Sequence, residues 1–538
     1  MGIESVAILE NSKMTPHTGK LYFVMIASVL LSCIASWIIA RRYRGRMRQL
    51  MRVPQAGSLP APMAETAPGT ESASNAHPPA QATLAGNRRA GMRLSMLLAA
   101  VSCLIALSSA CIWWTLVFPG EPMPAKRVAV VALLHLWPVV PALALVWRWS
   151  RSRLFGALLL WCAATYAVFL WRQIEPRPLE AMLAMASEIG LSLALVSAVF
   201  LGSATRAIAP WLLVPTALLL SAMLVGLDVL SWMAGHESPL LMLLIQPLEW
   251  LPGWSGVVVV FGIFLLLAGI IAWWPMRMSG RALGHAYSRK WLSDLLVLFT
   301  GVWAFALTDR TLTLSASIGV EAFAMYLSLL WIPVVMWLAG RFRQGRALPP
   351  TLLVLRVFQQ DVQMQSLYDQ VVERWRLSGN TVMIAGTDLA DRTLDAGDIF
   401  QFLDGKLAQQ FIISPADVTR RIDAFDMAAD IDGRYRVNEC YCHHTTWRDA
   451  LQALVHRSDV VLMDLRGFQA HNAGCRHELA TLARAARALR VVVLTDGRTD
   501  RAVAQADVAS GRHERFTWIE VSRLDARMRR QVLAGLLA

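Results

Sequence analysis

Long apolar runs separated by short polar segments dominate residues 21–340 of the chain. The first run, Leu21–Ala40, continues for about 20 residues, which is enough for a helix to cross the hydrocarbon core of a bilayer. Eight further runs of this kind follow, so the pattern predicts nine transmembrane helices. The eight later spans are predicted at approximately Leu94–Phe118, Val128–Trp147, Leu154–Leu170, Ile189–Ser203, Trp211–Ala234, Val257–Trp274, Leu292–Thr308 and Ala322–Gly340.

The basic residues between these spans predict how the helices are oriented. Alternating crossings place 20 Lys and Arg residues in segments on one side of the membrane and 7 on the other. Because short cytoplasmic loops carry the excess of positive charge, the richer side is predicted to be the cytoplasm. The N-terminus is then outside, the C-terminus is cytoplasmic, and the membrane is predicted to be a plasma membrane of the bacterial type.

After residue 346 the pattern changes to short apolar runs of strand length that alternate with amphipathic stretches. Such alternation is typical of parallel strands that are connected by helices and buried on both faces. We therefore predict an α/β domain of the flavodoxin-like class, with a doubly wound parallel sheet. The strands are predicted at Leu352–Phe358, Thr381–Ala385, Tyr435–Tyr441, Asp459–Leu465, Val491–Thr495 and Phe516–Val521, and the helices at 362–377, 399–409 and 447–456, from 475 and from 524.

These changes of pattern divide the chain into five parts. Residues 1–20 are predicted to form an extracytoplasmic segment, and residues 21–40 the first transmembrane helix. Residues 41–93 are first basic and then rich in Pro, Ala and Ser without periodicity, which predicts a disordered linker. Residues 94–346 are predicted to form an eight-helix transmembrane domain, and residues 347–538 the cytosolic α/β domain.

The composition supports a membrane protein and argues against nucleic-acid binding. Hydrophobic residues make up 56% of the 538 residues and charged residues only 17%, which is too apolar for a soluble protein. Residues 1–346 contain 27 basic and 14 acidic residues, whereas residues 347–538 contain 24 of each. The net charge of +13 therefore reflects membrane orientation, and the lipid bilayer is the predicted partner.

The seven cysteines show no spacing typical of a disulfide framework. The segment Cys440-Tyr-Cys442-His443-His444 has residue types that bind zinc, but the sequence has no second cysteine pair to complete a closed four-ligand site. We therefore predict no metal there and interpret the segment as the end of a strand followed by a loop.

The most specific candidate site follows the predicted strand Asp459–Leu465. In an α/β sheet, the loop after the carboxyl end of a strand is the usual ligand site. Here the loop leads into a helix that carries Glu478, which we expect in the first turn. The helix dipole alone also favours an acid in a first turn, which is the alternative interpretation of Glu478. The other polar residues expected to converge at this edge are Arg356, Asp361, Asp464, Arg466 and Asn472.

Two of these residues have simpler interpretations as well. Asp464 lies one residue before the end of a predicted buried strand, where a carboxylate commonly makes a loop-capping hydrogen bond. Asn472 stands before Ala473 and Gly474, and this combination is typical of a turn.

The region Ser458–Leu482, with SDVVLMDL, a polar loop and GCRHEL, resembles the TIR domain family. In that family the region forms the third strand and the following helix, and NAD-cleaving members carry a catalytic glutamate at the head of this helix. The resemblance implies that Glu478 is catalytic, that NAD is a substrate, and that the neighbouring polar residues bind it. Cleavage of the nicotinamide–ribose bond builds positive charge on the ribose, and a carboxylate stabilises that charge. Arg356 or Arg466 would hold a phosphate.

Two other functions stay open at this point. The α/β domain is alternatively a non-catalytic signalling module that self-associates or recruits partners, with the membrane half clustering it. The third possibility is a transporter with a regulatory cytosolic domain, because Asp228 and His135 lie within predicted spans. A bond to a neighbouring helix, or a position near the end of a span, is the simpler interpretation of Asp228.

Overall fold

The computed structural model describes most of the 538 residues of the chain. Asp361, the Pro-rich part of the predicted linker and almost all of the predicted span Ile189–Ser203 lie outside the described residues. The described residues are 16–52, 83–172, 203–236, 238–246, 254–341, 349–357, 366–385, 396–443, 445–487, 489–509 and 511–537.

The first part of the chain folds into helices. Backbone donors and acceptors have no water to bind within a bilayer, so apolar segments of this length satisfy them internally as helices. The helices are α1 (Pro16–Arg52), α2 (Leu84–Val117), α3 (Ala125–His135), α4 (Val139–Trp147), α5 (Arg151–Arg172), α6 (Ser203–Gly235), α7 (Pro239–Ile245), α8 (Ser255–Ser288), α9 (Asp294–Ile318) and, after a 3₁₀ segment at Gly319–Leu330, α10 (Trp331–Arg341).

Within the described residues, six helical segments are long and apolar enough to cross a membrane. They coincide with six of the nine predicted spans, which supports a multipass membrane protein. The predicted span Val128–Trp147 is instead a bent pair, α3 and α4, with an angle of 43° between them; counted as one crossing, it gives seven. Pro138 lies at the bend and has no backbone N–H to continue the helix. The apolar part of α5, Ser152–Val168, is shorter than the other spans.

Helix α1 continues well beyond the predicted span and ends at Arg52. The basic residues 41–52 were predicted to be disordered, and this part of the prediction is wrong. Tyr43 and Met47 lie among the arginines and are fully buried against the C-terminal domain, which stabilises the helical extension. Helix α2 also begins early, at Leu84, where the Thr83 side chain accepts a capping hydrogen bond from the backbone N–H of Gly86 (3.0 Å).

The C-terminal part contains a seven-stranded sheet in which every pairing is parallel. The strands are β1 (Thr351–Arg356), β2 (Asn380–Ala385), β3 (Phe411–Ile412), β4 (Val437–Cys442), β5 (Val460–Asp464), β6 (Arg490–Thr495) and β7 (Phe516–Glu520). Their spatial order is β3-β4-β2-β1-β5-β6-β7. If β3 and β4 are set aside, the other five strands have the order 2-1-3-4-5, which is found in flavodoxin-like sheets.

The six predicted strands are all present, with ends within two residues of those observed. The two-residue strand β3 and the helices at Pro415–Asp423 and Arg501–Ala509 were not predicted. The helices of this domain are α11 (Glu373–Trp375), α12 (Ala396–Leu403), α13 (Pro415–Asp423), α14 (Trp447–Arg457), α15 (Ala473–Arg484), α16 (Arg501–Ala509) and α17 (Ala526–Leu536). A π-type turn at Tyr368–Val372 precedes α11.

The two faces of the sheet pack against different partners. Helices α13 to α16 cover one face. Helices α11, α12 and α17 cover the other face together with residues of the membrane half, Ala40, Tyr43 and Met47 of α1 and Ile208 of α6. The α/β domain and the membrane half therefore share one apolar core.

Polar contacts surround this shared core. Arg148, after α4, forms an ion pair with Glu373 of α11 (2.8 Å). Ser293, before α9, donates a hydrogen bond to Asp432 (2.7 Å), and Arg436 donates one to the carbonyl oxygen of Tyr287 in α8 (2.6 Å). The α/β domain is thus attached to several membrane helices and not only through the chain that connects them.

The helix ends that contact the α/β domain are those that the charge pattern assigned to one side of the membrane. They lie within or beside residues 39–51, 87–91, 146–148, 207–212 and 283–293. At the other side, the Tyr22 hydroxyl at the start of α1 donates a hydrogen bond to Asp309 of α9 (2.7 Å). The helix ends that contact the α/β domain therefore lie together on one side of the described helices.

Candidate active site at the carboxyl edge of the sheet

The ends of β1 and β5 form the centre of the candidate site. These strands are neighbours, and the helices that follow them, α11 and α15, pack on opposite faces of the sheet. Arg356 ends β1 and is paired in register with Asp464, which ends β5. The backbone N–H of Val357 donates to the carbonyl oxygen of Asp464 (3.0 Å). The site therefore lies at a topological switch point, where open α/β sheets bind ligands.

Asp464 holds the side chain of Arg466. The guanidinium Nε and Nη2 of Arg466 donate to the two carboxylate oxygens of Asp464 at 2.8 and 2.6 Å, and both side chains are buried. The backbone N–H of Arg466 donates to the same carboxylate (3.2 Å), so Asp464 makes the loop-capping bond that its position in the sequence indicated. A phosphate at this place would have to compete with Asp464 for Arg466.

A second carboxylate, Asp496, holds the same loop from the end of β6. Its Oδ1 accepts hydrogen bonds from the backbone N–H of Gly467 and from the Thr499 hydroxyl, both at 2.9 Å. Gly467 has a φ of 73°, a conformation that glycine adopts without a steric penalty. Burial opposes ionisation of Asp496, but these hydrogen bonds, together with the backbone N–H and the charge of Arg498, outweigh burial and lower its pKa. Asp496 follows a predicted strand just as Asp464 ends one, so the same rule applied to β6 would have found it.

Glu478 is the most unusual group at this edge. Helix α15 begins at Ala473, so Glu478 is its sixth residue and the predicted position in the first turn is wrong. The dipole effect is confined to the first turn and therefore does not explain this acid. The side chain is 4% exposed, and within the described part of the chain its Oε2 has no hydrogen-bond partner. Burial raises the pKa of Glu478 to about 8, and the positive charge of Arg356 only partly offsets this.

Cys475 lies one turn before Glu478 on the same side of α15. Its thiol is buried and lies 3.8 Å from the carbonyl oxygen of Arg356. Burial, together with the nearby carboxyl of Glu478, raises the pKa of this thiol. A thiol that stays protonated is a packing group and not a nucleophile.

The remaining predicted site residues have separate outcomes. Asn472 is the residue before α15, and its side chain accepts a hydrogen bond from the backbone N–H of Gln469 (2.8 Å) instead of capping the helix. It shapes the loop, as the turn interpretation predicted. Arg356 lies next to both Asp464 and Glu478. It is the register partner of Asp464 in the sheet, and its positive charge lowers the pKa of Glu478.

The cysteine–histidine segment falls at the end of β4. Cys440 and Cys442 are buried, as is His443, whereas His444 lies outside the described residues. In the part of the chain that the structure describes, no three His, Cys, Asp or Glu side chains are grouped closely enough to hold a metal ion.

The polar residues within predicted spans contact neighbouring helices. Asp228 of α6 forms an ion pair with Lys20 of α1, and both side chains are partly exposed. This is the bond to a neighbouring helix that we expected as the simpler interpretation. His135 ends α3, and its Nδ1 lies 2.7 Å from the Ser109 hydroxyl of α2.

Comparison of this chain with protein-family models, with curated proteins and with solved structures gave no match. The fold itself defines the class of protein. It is a membrane protein with several apolar helices of membrane-spanning length and a C-terminal parallel α/β domain.

Proposed function

We propose that this protein is a membrane-anchored signalling or defence effector whose TIR-like α/β domain binds NAD and hydrolyses its nicotinamide–ribose bond. The observation that supports this proposal best is the buried carboxyl of Glu478, whose Oε2 lacks a partner within the described residues. A buried acid with a raised pKa at the ligand-binding edge of an α/β sheet is typical of a functional group.

The reaction follows from the charge changes at the ribose. The bond between ribose C1′ and the nicotinamide nitrogen breaks, and nicotinamide leaves as a neutral molecule with the electron pair of that bond. Positive charge then develops on the ribose, and the ionised Glu478 stabilises it. The oxygen of a water molecule forms the new bond to C1′, and one proton is released to the solvent, which gives ADP-ribose.

Glu478 has to be ionised for this role, and NAD itself favours ionisation. The pKa of about 8 leaves the buried carboxyl mostly protonated at neutral pH. The pyridinium ring of NAD carries a positive charge, and an opposite charge beside a carboxyl lowers its pKa. Arg356, at the end of β1, is the basic residue beside Glu478 that is suited to hold a phosphate of the same ligand.

The proposed orientation places the α/β domain in the cytoplasm of a bacterial-type cell and the N-terminus outside. Two observations support it. Lys and Arg residues are concentrated in the loops on one side. The same loops contact the α/β domain, so that domain belongs on their side. NAD is a cytosolic metabolite, which fits this side.

The test uses the full-length protein in detergent, because its α/β domain shares a core with the membrane half. We expect nicotinamide release from NAD, followed by liquid chromatography, and its loss in Glu478→Gln. Glu514→Gln is the matched control, since Glu514 has a side chain that is 68% exposed and lies outside the site. Absence of release from the wild-type protein, including after chemical crosslinking into clusters, would refute the proposed hydrolysis.

A second candidate function, self-association without catalysis, is favoured by one observation. β7 is an edge strand of the sheet, and within the described residues no strand pairs with its outer side. Edge strands present unpaired backbone groups to which another chain can add. Under this alternative, Glu478→Gln leaves signalling unchanged, whereas a proline at Thr517 in β7 abolishes oligomers measured by light scattering.

A further inference from the structure

The junction between the membrane half and the α/β domain contains two kinds of arginine. Arg148, Arg376, Arg434 and Arg436 each form an ion pair with at least one carboxylate. This is the expected arrangement, because a charge removed from water is costly unless it is paired.

A second group, Arg153, Arg374 and Arg529, has no such partner within the described residues. The three come from different elements: α5 of the membrane half, α11 after the first strand, and α17 at the end of the chain. We call them the arginine triad. Arg374 contacts an aromatic ring and a carbonyl oxygen, and Arg153 contacts an aromatic ring.

The tryptophans around the α4–α5 connection hold two members of the triad. The guanidinium of Arg374 lies 5.7 Å from the ring centre of Trp147 and donates a hydrogen bond to its carbonyl oxygen (3.1 Å). Its Nε is buried without a hydrogen-bond partner in the described structure. The guanidinium of Arg153 lies 5.8 Å from the ring centre of Trp149. These rings orient the cations but do not neutralise them.

The charges of the triad act on one another. Burial lowers the pKa of Arg374 to about 10, and the charge of Arg529 contributes to the shift. Burial also lowers the pKa of Arg529, with further contributions from Arg530 and Arg153. Asp525 attracts Arg529, but its carboxylate accepts hydrogen bonds from two backbone N–H groups and caps α17. Arg529 thus repels both Arg374 and Arg153, and an anion beside these cations would relieve the repulsion.

The surface next to the triad indicates where such an anion comes from. Arg153 lies in the first turn of α5, and the following residues Phe155, Leu159 and Leu160 are 59%, 55% and 72% exposed. Exposed apolar side chains on a membrane helix face acyl chains, and basic residues at the cytoplasmic end of such a helix attract anionic lipids. A phosphate beside Arg153 is thus continuous with the acyl-chain region.

We propose that Arg153, Arg374 and Arg529 bind the phosphate of an anionic phospholipid, which joins the membrane half to the first and last helices of the α/β domain. The lipid supplies the negative charge that this part of the junction lacks. Phosphate oxygens accept hydrogen bonds from guanidinium groups in a well-matched geometry.

The experiment measures lipid binding to the full-length protein in detergent. Phosphatidylglycerol or phosphatidylcholine is added in turn, and bound lipid is counted by native mass spectrometry. We expect the wild-type protein to prefer phosphatidylglycerol. Arg153→Gln and Arg529→Gln should each weaken its binding by about fivefold, which corresponds to about 1 kcal/mol for each basic residue near an anionic surface. Binding of phosphatidylcholine should not change.

Arg527→Gln is the matched control. It removes the same charge from the same helix, but Arg527 is exposed and does not contribute to the pKa shift of Arg374 or Arg529. The proposal is overturned if Arg527→Gln weakens binding as much as Arg529→Gln, or if the double variant of Arg153 and Arg529 binds phosphatidylglycerol as the wild type does. It is also overturned if inorganic phosphate binds to the triad and phosphatidylglycerol does not, since the anion would then be a soluble one. Unchanged thermal unfolding of the variants shows that they fold.

Discussion

Replacement of Glu373 with alanine should weaken the junction between the two halves of the protein. Its carboxylate lies 2.8 Å from Arg148 of the membrane half, and 3.0 and 3.5 Å from Arg376 and Arg434 of the α/β domain. The side chain is only 7% exposed, so water does not replace these partners. Removal of the carboxylate leaves two buried cations, Arg376 and Arg434, and the partly buried Arg148 with one acceptor fewer each.

The expected loss of stability depends on the hydrogen-bond acceptors that each arginine keeps in the variant. Arg148 keeps Asp369 at 3.6 Å, Arg376 keeps the carbonyl oxygen of Tyr435 at 2.7 Å, and Arg434 keeps Asp432 at 3.0 Å. Loss of one partner from a buried ion pair costs about 3–5 kcal/mol when the remaining charge is uncompensated. Because every arginine keeps an acceptor, we expect the lower end of this range, about 3 kcal/mol.

The stability that Glu373→Ala loses should depend on pH in a defined direction. Burial opposes ionisation of Glu373, but the charges of Arg148, Arg376 and Arg434 outweigh burial and hold its pKa well below the ordinary value. A depressed pKa in the folded state adds stability above the unfolded pKa of about 4.3, and this stability is lost as the pH falls. The difference in stability between wild type and variant should therefore be fully present at pH 7 and should shrink below about pH 4.

Thermal unfolding of the full-length protein in detergent, followed by tryptophan fluorescence, measures this difference. Glu514→Ala is the matched control, because its side chain is 68% exposed and should change stability by less than about 0.5 kcal/mol. A Glu373→Ala variant as stable at pH 7 as the control would refute the reasoning. So would a difference that grows as the pH falls.

Three further predictions concern the α/β domain. The kcat/KM for nicotinamide release should rise with pH up to about 8, because it reports ionisation of Glu478 in the free enzyme, and a kcat/KM profile without this rise would exclude Glu478 as the group that titrates. Burial and the nearby Glu439 raise the pKa of Asp398 to about 7. The stability that its protonated form contributes is therefore lost as the pH rises toward 7. Between pH 5 and pH 8, the melting temperature of Asp398→Asn should fall less than that of the wild type. Gly511→Ala would place its Cβ 2.6 Å from the carbonyl oxygen of Ala483, and this backbone clash should cost at least about 1–3 kcal/mol in denaturant unfolding.

Most of the strands could be predicted because they are short apolar runs that are buried in the structure, as β1, β5 and β6 are. The helices α13 and α16 were missed because few of their side chains are apolar and buried. In α13 these are Val418 and Ile422, too few to form a visible period. A stronger signal was present at its start, where Ser414, Pro415 and Asp417 form a capping box with proline at the first helical position.

The burial of Glu478 could also have been found in the sequence. Cys475, Leu479 and Leu482 define the buried side of α15, and Glu478 lies three residues after the first and four before the last. This spacing places the acid on the same buried side. The junction, by contrast, joins residues such as Tyr43 and Tyr441 that are 398 positions apart. No local pattern encodes such a contact, because it depends on how the two halves pack.

The shared core has a consequence for how this protein evolves. Tyr43 of α1 packs with its ring edge-on to Phe402, at 5.7 Å between ring centres, and lies in one apolar cluster with strands of the sheet. Recombination that moved the α/β domain onto another membrane anchor would expose the apolar face of the sheet to water. A substitution at Tyr43 would have to be accommodated by the residues of the α/β domain that it contacts. The two halves should therefore diverge together, as one unit of selection.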